Sequence, residues 1–285
     1  MTIRYAKASD LPQIRNVWNI CFPEDISFGG WFFENVWKAD NTLLCFEGDT
    51  LAAMLQMLPT ELVNGENKCK ATYIYGAATT PEFRRRGLMA ALLEASFSED
   101  RKNGRPLSVL IPQEEWLFDF YRKFSYEPKF LICKKQSSAS EAAGNVAVRP
   151  MTEADLEPFA VLYESRMGQR THVKRSLDDS LLIFRYFAEN GALALCAEAA
   201  GRMAAAAFGY VREKNLVLQE LLVEDGFSYR EILAQMCRFC SCTGADAWML
   251  AEEGGRGVPF ACARAAEWAD VSFDWDKAYL NLLFN

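Results

Sequence analysis

Three consecutive arginines and a glycine, Arg84-Arg85-Arg86-Gly87, stand between a strand-like run and a helix-like run. No other stretch limits the possible fold as strongly. Before them, Tyr73-Ile74-Tyr75-Gly76-Ala77-Ala78 has the aromatic and β-branched content of a strand. After them, Met89, Leu93 and Phe97 recur every fourth residue and predict a helix with one apolar stripe. Arg101 and Lys102 predict its last turn, and Gly104 its stop. Its start is anomalous, because cations at the positive end of a helix dipole are disfavoured by roughly a few tenths of a kcal/mol or more each. An anion held by the free N–H groups of the first turn reverses that sign. Strand, short basic loop and helix therefore predict a phosphate site.

The arginine cluster is more informative because the chain around it is acidic. The 285 residues carry a formal net charge of −7, which argues against a general binder of nucleic acid or anionic membrane. The length suits two domains, and a hydrophobic share of 51% supplies ample core. No run approaches the ~20 apolar residues of a membrane span. The start, Met1-Thr2-Ile3-Arg4-Tyr5, lacks the apolar core of a signal peptide, so the expected compartment is the cytoplasm. Nine scattered cysteines fit a reducing compartment. Cys237, Cys240 and Cys242 cluster within a helical pattern and are expected to be small core residues, with no metal. The single histidine, His172, lies among Arg170, Lys174 and Arg175 and is expected at the surface.

The arginine run resembles the cofactor motif of the GNAT acetyltransferase superfamily, Gln/Arg-x-x-Gly-x-Gly/Ala. Arg84 takes its first position and Gly87 its fourth, while Met89 replaces the small sixth residue. Downstream, Phe120-Tyr121-Arg122-Lys123-Phe124-Ser125-Tyr126-Glu127 resembles the family's Phe-Tyr-Glu-Lys-Leu-Gly-Phe segment. The resemblance implies acetyl-CoA as cosubstrate. Its pyrophosphate would lie on Arg84, Arg85, Arg86, Gly87, Leu88 and Met89, and its pantetheine arm along the strand end Ala77-Ala78-Thr79, where the neighbouring strand, ending at Ile111-Pro112, splays away. It also implies Tyr121 as the acid that protonates the departing thiolate. An amine acceptor with pKa ~10.4 must first lose a proton. Glu114, Glu115 and Glu61 are the carboxylates considered as base, with Glu114 placed first.

Taken in order, the chain predicts a strand at Thr2–Tyr5 and a helix capped at Ser9. An aromatic helix over residues 28–37 and a hairpin turning at Glu47-Gly48-Asp49 follow. A strand at 107–111, a helix marked by Trp116, Phe120 and Phe124, and a closing strand at 129–135 complete the half. The helical aromatics Phe28, Trp31, Phe32, Phe33 and Trp37 read as core in preference to an acceptor pocket. Residues 136–145 are polar and aperiodic, as linkers are. The pattern then restarts: Ile3-Arg4 with Asp10-Leu11 matches Val148-Arg149 with Asp155-Leu156. After the strand at 216–223 come Glu224 and Asp225 where the first half has arginines, so no phosphate is expected there. Gly254-Gly255-Arg256-Gly257 reads as a plain turn before a short helical run at Pro259.

The expected fold is α/β (α+β): two tandem GNAT-like domains, each a mixed, mostly antiparallel sheet flanked by helices. Residues 1–136 form the acetyl-CoA-binding domain, and 146–285 a degenerate repeat without a cofactor loop. The expected activity is N-acetyl transfer to a primary amine of a small molecule or peptide, in a monomer or homodimer that binds neither nucleic acid nor membrane. A non-catalytic acyl-CoA binder and a tandem-GNAT aminoacyltransferase are the alternatives. The apolar tail at 270–285 is expected to dock within its own domain. Some tandem relatives that the chain resembles instead place the terminal carboxylate, here that of Asn285, as the base.

Overall fold

The computed structural model describes residues 1–141, 145–251 and 257–281. Two compact units form. Among the described residues, one is built from Met1–Lys129 with Ala261–Phe273, the other from Phe130–Phe260 with residues 274–281.

The first unit contains β1 (Thr2–Tyr5), α1 (Leu11–Cys21), α2 (Ile26–Asn35), β2 (Thr42–Glu47), β3 (Thr50–Asn64) and β4 (Asn67–Thr79), then α3 (Leu88–Lys102), β5 (Leu107–Leu110) and α4 (Glu115–Arg122). The second contains most of β6 (Glu127–Ser138), then β7 (Ala147–Pro150), α5 (Leu156–Met167), β8 (His172–Val173), α6 (Leu177–Glu189), β9 (Leu193–Ala199), β10 (Arg202–Arg212), β11 (Asn215–Val223), α7 (Tyr229–Phe239) and β12 (Gly244–Leu250). The last strand, β13 (Val258–Ala265), belongs to the first unit from Ala261 on. Among the described residues, no helix is long and apolar enough to cross a membrane.

Each unit holds a mixed sheet of one plan, as expected. In the first, β1, β2, β3 and β4 are antiparallel neighbours, β4 and β5 are parallel, and β13 closes antiparallel on β5. In the second, β7, β9, β10 and β11 are antiparallel, β11 and β12 parallel, and β6 closes antiparallel on β12. The expected contiguous division at residues 136 and 146 is therefore corrected. β6 does not close the first unit; it runs to Ser138, through the start of the expected linker, with Ile132 opposite Leu250 and Ser138 opposite Gly244. The expected helical run at Pro259 is instead β13, which supplies the partner of β5, with Cys262 opposite Leu110. Gly254, Gly255 and Arg256 lie outside the described residues. Each repeat is closed by the strand that follows the other's last helix-bearing segment. A strand's alternation fixes its two faces and not which of two similar sheet edges it joins.

Local chemistry explains the helices that shape the first unit. Pro12 sits in the first turn of α1, where its missing N–H is not needed, and Pro23 follows the end. The cap falls at Asp10 and not at Ser9, because Asp10 is drawn inward by Arg4. α3 buries Leu88, Leu92, Leu93, Ser96 and Asp100. The stripe predicted from Met89, Leu93 and Phe97 is thus rotated, leaving Met89 and Phe97 half-buried at its flank. Each fully buried leucine contributes roughly 1.5–3 kcal/mol. Asp100 is tied to β4 by the Thr72 hydroxyl at 2.5 Å, and burial pushes its carboxyl up to about 6.

Candidate active site

The site begins where a strand loses its neighbour. β4 pairs with β5 only at Ala71–Leu107, Thr72–Ser108 and Tyr73–Val109, and β5 ends at Leu110. Residues 74–79 run on without a partner from β5 while staying paired to β3 on their other side. A bulge falls between Tyr75 and Ala78, where Gly76 and Ala77 face the single residue Leu55. Glycine is required at 76 twice over. Its φ is +53°, and an added Cβ would lie 2.7 Å from the Trp18 ring. Ala77, Ala78 and Thr79 thus stand at an open strand edge, which exposes unpaired backbone donors and acceptors.

From that edge the chain turns into the arginine loop. Arg84 Nε donates to the Thr79 carbonyl at 3.1 Å, pinning the loop to the strand end. The Arg86 guanidinium lies 5.0 Å from the Phe83 ring. All three arginines and Gly87 are exposed. Arg85 has φ +63°, a left-handed conformation that costs a non-glycine residue about 1–2 kcal/mol. Gly87, at φ +79°, is the N-cap of α3, and no side chain caps the helix. The first-turn N–H groups at Leu88 and Met89 therefore keep their donor capacity beside three guanidinium groups. Among the described residues, a Cβ at Gly87 would meet no other atom within 4 Å. Met89, in the motif's sixth position, packs its side chain against the apolar cluster of the unit.

Tyr121 lies on α4 at 8% exposure, its ring edge-on to Phe120 at 5.2 Å and to Tyr126 at 5.8 Å. Burial, with a smaller contribution from the Cys262 thiol, pushes its hydroxyl up to about 12. Among the described residues that hydroxyl makes no hydrogen bond, whereas Tyr126 is engaged by Ser108 at 2.6 Å. Tyr73 went unnoticed as a site residue in the sequence. It sits where the pairing of β4 and β5 ends, and its hydroxyl is raised by burial and by Tyr121 nearby, with no hydrogen bond of its own among the described residues. Its signal was the tyrosine at the last paired position, hidden among residues that serve any strand.

The carboxylates are less convergent. Glu114 is exposed at the N-cap position of α4 and accepts the Trp116 indole N–H. Glu115 is exposed in the first turn. Glu61 pairs with Lys70 on β4, eight residues from Ala78. At ~3.3 Å per residue it lies about 26 Å along the strand from Ala78, out of reach of that end of the edge. The aromatic helix is core as expected. Trp31, Phe32 and Phe33 are buried, and Phe32 stacks on Trp18 with centroids 5.7 Å apart. Trp116, which marked the next helix, is 61% exposed and plays no part in the core.

The same position in the second unit is built differently. β11 pairs with β12 as far as Leu218–Ala247, and residues 219–223 run on. Asn281 Nδ2 donates to the Gln219 carbonyl at 2.6 Å. Glu220 is held by Arg175 at 2.7 and 3.0 Å and by the Tyr279 hydroxyl at 2.7 Å, all fully buried. Tyr279 and Asn281 thus lay their side chains against the start of this edge, and residues 274–281 dock within the second unit. Residues 270–273 belong to the first unit, and Asn285 lies outside the described residues. At the start of α7, Asp225 contacts Arg166, and Glu224 contacts Arg202 at 3.1 Å.

His172 is corrected from surface to core. It is 2% exposed, its Nδ1 lies 2.8 Å from the Arg170 carbonyl, and burial lowers its pKa. Cys237 and Cys242 are buried and Cys240 partly so. Asp155, Cys196 and Glu198 lie within metal-ligand reach of one another, but Arg149 already bonds both carboxylates. That guanidinium takes the place a cation would need.

Residues 2–129 match the acetyltransferase (GNAT) domain family. No curated protein matches the sequence. Among solved structures, a conserved protein of unknown function from Enterococcus faecalis V583 superposes with TM-score 0.74 at 12% identity, over 93% of this chain and 73% of that one. A GCN5-related N-acetyltransferase from Anabaena variabilis gives 0.72 at 15% identity, over 93% and 72%. Eis1 from Mycobacterium abscessus gives 0.68 at 13% identity, over 94% and 74%. At these identities the likeness is one of fold.

Proposed function

Residues 2–129 are a GNAT acetyltransferase domain, and from that premise we propose that the protein is an acetyl-CoA-dependent N-acetyltransferase acting on a primary amine of a small molecule or peptide. One observation carries the reading. The unpaired edge of β4 leads directly into an uncapped helix start beside three exposed arginines. An extended amide chain ending in a pyrophosphate complements both features, the first by strand-like pairing and the second by N–H donors and positive charge. When bound, acetyl-CoA supplies the activated acetyl group.

The chain's own residues then divide the work. Ala77, Ala78 and Thr79 offer backbone groups along the arm and donors for the carbonyl oxygen as it gains charge. Arg84, Arg85, Arg86, Gly87, Leu88 and Met89 hold the phosphates. Tyr121 is the acid for the departing thiolate. A hydroxyl pushed up to about 12 stays protonated at neutral pH, and among the described residues no partner competes for its proton. Glu114 is the proposed base. It precedes Tyr121 by seven positions, about 10 Å along a helix, so it acts through water.

Calorimetry with acetyl-CoA tests the reading. The expected result is one site per chain, lost when Arg84, Arg85 and Arg86 are changed to alanine. At ~100 times the dissociation constant the ligand should stabilise the fold by ~2.7 kcal/mol. Two equivalent sites, or binding that survives the triple substitution, would sink it. Thiol release across a panel of amines then separates an enzyme from a non-catalytic acyl-CoA binder.

A further inference from the structure

We infer that Trp18 limits the length of the acyl group that the first unit accepts, restricting it to acetyl and its nearest homologues. The inference rests on the acetyl-CoA reading of the β4 edge and adds to it a selectivity that no part of that reading requires.

Trp18 comes from the last turns of α1 and is 3% exposed. Its six-membered ring sits on the bulge, with Cζ3 2.7 Å from where a Cβ on Gly76 would be. Its five-membered ring sits on α2, with Nε1 2.4 Å from where a Cβ on Gly29 would be. The indole therefore spans the whole distance between helix and strand, and glycine stands at both contacts because no larger residue fits. The ring is also held in place from the sides. Phe32 stacks at 5.7 Å, Phe33 meets it edge-on at 5.4 Å, and Phe22 and Tyr75 lie at 4.8 and 6.0 Å. The indole N–H donates to the Asp25 carbonyl at 3.4 Å.

A thioester carbonyl aligned with the open edge at the bulge carries its acyl carbons onward from that point. On the α1–α2 face they meet the Trp18 ring at once. On the other face Ile74 and Ala77 are already packed into the cluster formed with Leu88 and Leu92. The remaining direction is the splayed gap beside residues 74–79, which in this reading the pantetheine arm itself fills. A short acyl group fits against the indole edge, and each added methylene must displace a ring locked by its neighbours. Apolar pockets discriminate single methylenes by about 10-fold or more in this way.

The test compares free CoA with acetyl-, propionyl-, butyryl- and hexanoyl-CoA on the full chain, by calorimetry and by turnover with one amine. Wild type should bind acetyl- and free CoA well and lose about 10-fold or more by butyryl-CoA. Trp18→Leu should bring butyryl-CoA to within a few fold of acetyl-CoA, with free-CoA affinity unchanged. Trp18→Phe, which keeps an aromatic ring for Phe32 to stack on, should give an intermediate ratio and a near-native melting curve. Identical acyl-length ratios in wild type and both variants would overturn the inference. So would a change confined to the KM of the amine, which would assign Trp18 to the acceptor. Loss of free-CoA binding in wild type is a separate result: it removes the parent reading, and this one with it.

Discussion

The two units share a sheet plan and differ at one edge. In the first, six residues of β4 run past the last pair with β5, with small side chains at Gly76, Ala77 and Ala78. In the second, five residues of β11 run past the last pair with β12, and Asn281, Tyr279 and Arg175 are laid against them. The first edge is left open, while the second carries side-chain contacts from the chain's own tail. Splayed parallel strands create unpaired backbone groups in both repeats, and buried groups of that kind must find partners. In one unit that edge is open, and in the other the Asn281 side chain bonds the Gln219 carbonyl. The carboxylates at the start of α7 are a second, weaker barrier, since Arg166 and Arg202 already engage them.

The largest effect should come from the open side. Tyr121→Phe keeps the ring and removes only the proton donor. Steady-state kinetics should show turnover falling by ~10²–10⁴-fold with acetyl-CoA affinity nearly unchanged. Because its hydroxyl is pushed up to about 12, the wild-type rate should show no loss attributable to Tyr121 between about pH 7 and 10. An unaltered rate in the variant would reduce Tyr121 to a packing residue and shift attention to Tyr73.

The filled side predicts a stability effect. Arg175→Met leaves Glu220 buried without its ion-pair partner, and denaturant titration should show a loss of about 3–5 kcal/mol. The open edge of β4 has no such pair at its bulge, so acetyl-CoA affinity in the same variant should be preserved as long as the first unit remains folded. A change below about 1 kcal/mol would mean the tail is held by its apolar contacts alone, and the contrast between the two edges would lose its electrostatic half.

The smallest effect tests what the repeats have in common. Arg4 bonds Asp10 through two hydrogen bonds at 2.7 and 2.9 Å, and Arg149 bonds Asp155 at 2.8 and 2.6 Å. Both carboxyls are held down to about 2, chiefly by the guanidinium. A carboxyl lowered by folding contributes stability that is present above the unfolded value near pH 4 and lost as pH falls towards 2. Asp10→Asn and Asp155→Asn should each cost about 1–2 kcal/mol at pH 7, after allowing for the partly exposed arginines, and almost nothing at pH 2. Melting curves of the two variants at both pH values are the check. Clearly unequal costs would show that Glu198, which shares Arg149 in the second repeat, has changed what the same corner contributes.

Much of this was legible because it is local. The glycine loop, the start and stop of α3 and the small residues of β4 are neighbours in sequence, so their chemistry appears in order along the chain. The repeat was visible in Arg4 and Asp10 against Arg149 and Asp155 because the same ion pair recurs at the same offset. His172 was misplaced because its burial depends on Tyr163 and Tyr279, the second more than a hundred positions away. Glu61 entered as a base because sequence distance from the loop said nothing of the long β3–β4 hairpin that carries it away. Trp18 looked like any core aromatic. The signals of its special place were Gly29 and Gly76, which acquire meaning only when both are seen to face one indole.

The sequence by itself determined two sheets of one design, one helix start flanked by three arginines and a second flanked by carboxylates. Those follow from periodicity, caps and charge, which act within a few residues. Tertiary structure alone decided which sheet each closing strand joins and what occupies each splayed edge. β6 and β13 offer the same alternation and the same backbone hydrogen bonds, so nothing in either strand names its partner. The choice is made by long-range packing, where Cys262 opposite Leu110 and Ile132 opposite Leu250 fix pairings that no local rule could distinguish.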